Sequence, residues 1–99
     1  MLYAIVGHDA ENALAIRRRV RPAHLDRARE LVAEGRLVLG GPLPSIDAED
    51  PGEAGFDGSL IVAEFPSLEA AREWIDADPY VTEGVFERVD VYPFLQVLP

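Results

Sequence analysis

The chain has 99 residues, 48% of them hydrophobic and 27% charged, ordinary values for a globular domain large enough for one two-layer core. A formal net charge of −9 argues against a nucleic-acid partner, no cysteine is present for disulfide or thiolate chemistry, and all nine basic residues are arginine, which excludes Schiff-base lysines. No run of about 18 apolar residues suggests a membrane span, and the start Met1-Leu2-Tyr3-Ala4-Ile5-Val6 lacks the basic region and cleavage site of a signal peptide, so a cytoplasmic single domain over residues 1–99 is expected.

Leu2 to His8 reads as a strand, apolar almost throughout, with Tyr3, Ile5 and Val6 favouring extended backbone. Such a strand needs cover on both faces. Asp9 to Asn12 is a loop, and Ala13 to Val20 fits either a helical turn or an ordered arm. Pro22 suits the first position of a helix, where its missing N–H costs nothing. That helix should reach about Glu34, with Leu25, Ala28, Leu31 and Val32 as its buried stripe and Asp26, Arg27, Arg29 and Glu30 in water. Gly35 is the expected residue after the helix end. Arg36 to Gly41 is a second strand, ended by Pro42 and Pro44. Residues 45–57 form an acidic loop of a length common in lids and interaction segments. Gly58 to Phe65 is the third strand. Ser67 caps a second helix running to about Ala77, with Leu68, Ala71, Trp74 and Ile75 inward. Asp78-Pro79 stops it. Phe86 to Val97 is the last strand, with Val89 and Val91 on one face and Phe86, Arg88, Asp90 and Tyr92 on the other.

The order βαββαβ is the ferredoxin-like plan of the α+β class. Right-handed crossovers put both helices on one face of a four-stranded antiparallel sheet. The other face then needs cover, and a homodimer through that open face is expected. Chain direction brings His8, His24, Gly40-Gly41, the acidic loop, Gly58-Ser59 and Asp78-Pro79-Tyr80 to one edge of the sheet.

Alone, His24 is an ordinary half-buried histidine, and Asp78 is a turn cap before Pro79. Yet Asp76 and Asp78 put negative charge at the negative end of a helix, against the helix dipole. Placed at one edge, His24 and Asp78 form a catalytic pair suited to general acid–base work. Arg17 and Arg21 belong to a run that is either a solvated patch or an anion site. Gly41 is either a turn residue or a point of close ligand approach. Ser59 has no base beside it and is a hydrogen-bonding candidate, and Tyr80 is a pocket wall or core. His8 and Asp9 point to opposite faces and make no local pair. No metal-ligand spacing or nucleophile motif is present, so neither metal nor cofactor is expected, and the partner sought is a small molecule.

The stretches Val20-Arg21-Pro22-Ala23-His24-Leu25, Glu34-Gly35-Arg36-Leu37, Asp50-Pro51-Gly52-Glu53-Ala54-Gly55-Phe56 and Asp76-Ala77-Asp78-Pro79-Tyr80-Val81 carry a resemblance to the YCII-related family. It covers nearly the whole chain, and R-P-x-H-L and D-A-D-P-Y are its most specific pieces. The resemblance implies a dimeric α+β barrel and an active site whose His and Asp map onto His24 and Asp78. It also implies kinship with an enzyme that eliminates chloride from a chlorinated hydroxyquinol, with muconolactone isomerases and with cofactor-free monooxygenases. His8 stands where the family carries a different polar residue. Two readings follow: a cofactor-independent lyase or isomerase with His24 as general acid–base, or a non-catalytic small-molecule-binding or protein-interaction module of the same fold.

Overall fold

The first strand, β1 (Leu2–Asp9), alternates sharply in burial: Tyr3, Ile5 and Gly7 are buried, while Leu2, Ala4, Val6 and His8 are half covered. This period of two makes it the middle of a layered structure. A computed structural model describes residues 1–99. After β1 come α1 (Leu14–Ala33), β2 (Leu37–Pro44), β3 (Phe56–Glu64), α2 (Leu68–Asp76), the short α3 (Pro79–Thr82) and β4 (Phe86–Phe94). The strands form one antiparallel sheet in the order β2-β3-β1-β4, the ferredoxin-like arrangement. The helices cover the side of Tyr3, Ile5, Ile61 and Ala63, which join Leu31, Phe65, Ala71 and Ile75 in the core. No helix is long and apolar enough to cross a membrane.

α1 begins at Leu14, so Pro22 lies inside the helix and not at its start. Proline removes one backbone donor there, but Pro22 is exposed, and the carbonyl it would have met can turn to water. His24 therefore sits well inside a long helix, away from the N-terminal dipole. The far end follows the expected pattern. Gly35 adopts φ 71°, its N–H meets Val32 at 3.0 Å and the Arg36 N–H meets Leu31 at 2.9 Å, a Schellman closure. Val32, expected inside, is 56% exposed, because α1 stands off from β2 and leaves space between them.

β2 does not stop at Pro42. It is an edge strand paired only with β3, and an edge tolerates prolines whose absent N–H would face away from the ladder. Within residues 45–57, a 3-10 turn spans Gly52–Ala54, and the Ser45 hydroxyl reaches the Asp57 carboxylate at 2.8 Å. Ser67 caps α2 as expected, accepting from the Ala70 N–H at 3.0 Å, although Leu68 is exposed.

Phe86 was expected on the face of Arg88. A register shift between His8 and Asp9 sets Arg88 opposite His8 and Phe86 opposite Asp9. The bulge turns Phe86 to the helix side, where it is buried edge-on to Tyr80. Two glycines make room for this packing. A Cβ on Gly7 would enter the Phe86 ring, and one on Gly58 would meet the Gly7 carbonyl. β4 ends at Phe94, short of Val97. On the face away from the helices, register groups Leu2, Ala4, Val6 and Leu60 with the exposed Leu39, Leu43, Tyr92 and Phe94.

Candidate active site

Asp-Pro-Tyr builds the centre of the site. Asp78 is extended (φ −72°, ψ 141°) and caps α3, its Oδ1 accepting from the Tyr80 N–H at 2.9 Å, while Pro79 occupies the first helical position. The carboxylate that sat unfavourably after α2 is thus also the N-cap of the next turn. Its Oδ1 lies 2.9 Å from Nδ1 of His24, and its Oδ2 accepts from Nη1 of Arg27 at 2.9 Å. Asp78 is fully buried, and His24 is 8% exposed. With Asp78 as acceptor, Nδ1 carries the proton and Nε2 is left without a hydrogen-bond partner in the protein. The imidazole stacks flat on the Tyr80 ring, with centroids 3.9 Å apart and planes 6° from parallel.

His24 borders a cavity of about 250 Å³ enclosed by α1, β2, β3 and Tyr80. Arg17, Arg21, Gly41, Ser59 and Tyr80 line it as well. Asp78 lies behind His24 and does not reach the lining. No acidic side chain lines the cavity, in a chain of net charge −9. Arg17 differs from expectation in its chemistry. It is buried and forks onto Asp9, with Nε to Oδ2 at 3.0 Å and Nη2 to Oδ1 at 2.9 Å. Nη2 also reaches the Gly58 carbonyl at 3.1 Å and the Ser59 hydroxyl at 3.0 Å. Its charge is therefore matched within the protein; Nη1 stands outside these bonds, and the guanidinium also lies against Tyr80. Arg21 is exposed and has no ion-pair partner. It is the cation with charge to spare.

A larger depression of about 580 Å³ lies between α2 and β4, but none of its lining residues is buried. No three His, Asp or Glu side chains converge as a metal site would require.

The family model for the YCII-related domain matches residues 1–95. The chain belongs to the YCII-related family. It is 56% identical over 97 residues to protein YciI of Escherichia coli O6:H1, covering 98% of this chain and 99% of that one. It is 48% identical over 97 residues to an uncharacterised protein of Haemophilus influenzae, with the same coverage. Among solved structures it resembles the 5-chloro-2-hydroxyhydroquinone dehydrochlorinase of Burkholderia phenoliruptrix AC1100 in complex with 2,5-dihydroxybenzoquinone. The TM-score is 0.84 at 23% identity, over 96% of this chain and 94% of that one. At that identity the likeness concerns the fold, the dimeric α+β barrel.

Two residues of this YCII-related site escape sequence reading, and a third, Phe86, which with Tyr80 is a candidate pocket wall or core residue, falls on the other face. The helical pattern sets Arg27 in water, but it is half-buried against Asp78; its spacing of three from His24 on one helix is the available signal. Asp9, expected in a loop, ends β1 and holds Arg17. His8 stands apart on the open face, 2.9 Å from Asp90 and 3.1 Å from Arg88. The acidic loop does not line the cavity; its ion pair with α1 is Glu53 to Arg18 at 3.1 Å.

Burial raises the pKa of Tyr80 above its usual value of 10.0, against the opposing pull of the Arg17 and Arg21 charges and with a further push from Asp78. The phenol therefore stays neutral in the cavity and can donate a hydrogen bond. Because the folded value exceeds the unfolded one, this group's contribution to stability is intact below pH 10.0 and is lost as the pH rises through the folded value. Absorbance at 295 nm should show a tyrosine ionisation displaced above pH 10.0, and Tyr80→Phe should remove that step.

Proposed function

We propose that this protein is a cofactor-independent enzyme of the lyase or isomerase kind, moving a proton in a small anionic or aromatic substrate held in the α1–β2 cavity of a homodimer. The observation that carries the reading is the bond from His24 Nδ1 to the buried Asp78, which leaves Nε2 on the cavity side as a base. Nε2 takes a proton from a substrate carbon. In an elimination, the electrons of that C–H bond form the new double bond as the leaving group departs with its own pair. In an isomerisation, the imidazolium returns the proton at another carbon. Asp78 orients the ring and stabilises its charged form. Arg21, with Nη1 of Arg17, holds the anionic group. The neutral Tyr80 phenol and the Ser59 hydroxyl offer hydrogen bonds, and Gly41 lets substrate approach the backbone. The dehydrochlorinase of like fold supports the reaction class.

The homodimer joins the two open faces, a reading supported by the exposed Leu39, Leu43, Tyr92 and Phe94. Sedimentation equilibrium reads it directly, and a monomer at micromolar concentration would remove it.

A thermal-shift screen of small carboxylates and phenolates tests the site. A ligand at 100 times its Kd stabilises the native state by about 2.7 kcal/mol. The hits are expected to lose most of their shift in Arg21→Ala, and product analysis then reads turnover. If hits bind, none is converted and Asp78→Asn binds them equally well, the site is a binding module instead.

A further inference from the structure

We infer that Arg27 is a positioning residue for His24, acting through Asp78, so that the working unit is a relay of Arg27, Asp78 and His24. The two oxygens of Asp78 are divided between tasks. Oδ1 accepts from His24 Nδ1 and from the Tyr80 N–H, both at 2.9 Å, while Oδ2 accepts from Arg27 Nη1 at 2.9 Å. Arg27 is itself clamped. Its Nη2 donates to the Trp74 carbonyl at 2.8 Å, and its guanidinium lies 4.5 Å over the Trp74 ring. That carbonyl belongs to the last turn of α2, where the helix leaves carbonyls without internal partners. One guanidinium thus closes the end of α2, with the sign of charge that end favours, and pins the carboxylate that follows it.

Charge gives the arrangement its purpose. A carboxylate with no exposure to water is strongly unfavourable unless a positive group meets it. His24 could meet that need only while protonated. Arg27 meets it permanently, so the carboxylate keeps a cationic partner whether His24 is neutral or charged. Geometry adds to this. With Oδ2 held, the carboxylate cannot rotate, Oδ1 stays on Nδ1, and the bare nitrogen is always Nε2. Lysine would supply the charge but not the planar fork that serves Asp78 and Trp74 together.

The catalytic meaning rests on the role proposed for His24, but the test reads the imidazole itself. Nitrogen-15 NMR of the neutral ring, in a His8→Gln background that removes the other imidazole, is expected to show a proton on Nδ1 and a bare Nε2. Arg27→Met is expected to lose that single form. A folded Arg27→Met protein with an unchanged ring spectrum overturns the inference. Should the methionine variant fail to fold, Arg27→Lys carries the test. The Nδ1 proton is expected to exchange with water about tenfold faster as the clamp loosens, and an unchanged exchange rate overturns the inference. On any substrate turned over, Arg27→Met should lower kcat by about 10²-fold, with KM within about twofold. If no substrate is ever converted, the proposed function falls while the ring spectra still decide the relay.

Discussion

His24→Ala is expected to lower turnover by about 10²- to 10⁴-fold, the range a positioned general acid–base contributes, while ligand binding is largely kept. The split follows from where the groups sit. Arg21, with charge to spare, and Nη1 of Arg17 remain on the cavity wall when the imidazole is removed. What disappears is the nitrogen at its inner side, with the flat contact to Tyr80 at 3.9 Å. The truncation leaves a slot the size of the lost ring, so free imidazole should restore part of the rate. Steady-state kinetics on a substrate from the screen measure the effect, with circular dichroism and sedimentation as checks on fold and assembly. A variant whose kcat stays within a few-fold of the parent would remove His24 as the proton carrier and leave Tyr80, the neighbouring cavity-lining group with a mobile proton, to explain turnover.

Much of this site was legible in the sequence because it depends on chain direction. The order of elements sets the turn after α2 beside α1, and Asp78 meets His24 across 54 positions of sequence, although His24 lies mid-helix and not at the helix start that Pro22 suggests. D-P-Y was also readable locally, as an N-cap followed by a proline at the first helical position. Pro22 misled for the opposite reason. Its preference for a helix start is a local tendency, and the packing of α1 on the sheet, with Arg17 anchored to Asp9, outweighs one lost backbone bond. The register shift at His8 and Asp9 left no pattern in the sequence, because one extra residue in a ladder is set by the partner strand. That shift is why Phe86 was placed on the wrong face. Arg17 was read as a free cation because its partner lies before the helix, at a position taken for a loop. Arg27 was read as solvent-facing because its partners, Asp78 and Trp74, come from a distant part of the chain and replace the water it would otherwise meet.

Asp78→Ala should lower the free energy of unfolding by about 3–5 kcal/mol, the cost of breaking a buried ion pair from one side. The side chain has no exposure, and its two oxygens satisfy three donors: the His24 ring, the Tyr80 N–H and Arg27. Alanine strands all three and opens a void. Arg27 retains the Trp74 carbonyl and about a quarter of its side-chain exposure (25%), so part of its charge can be hydrated. This places the expected cost toward the lower end of the range. Asp78→Asn is a sharper comparison. It keeps the shape and one acceptor oxygen, but its amide group must oppose either Arg27 or the His24 proton, both donors. The double variant Asp78→Ala, Arg27→Met separates the causes. If the stranded guanidinium dominates, removing it recovers stability, and the two substitutions are non-additive by about 1 kcal/mol or more. Urea unfolding followed by tryptophan fluorescence measures the parent, Asp78→Ala, Asp78→Asn, Arg27→Met and the double variant, and Trp74, the only tryptophan, reports from beside Arg27 itself. A cost for Asp78→Ala below about 1 kcal/mol would mean that the carboxylate is not held as a buried charge, and the charge argument for Arg27 would fail with it.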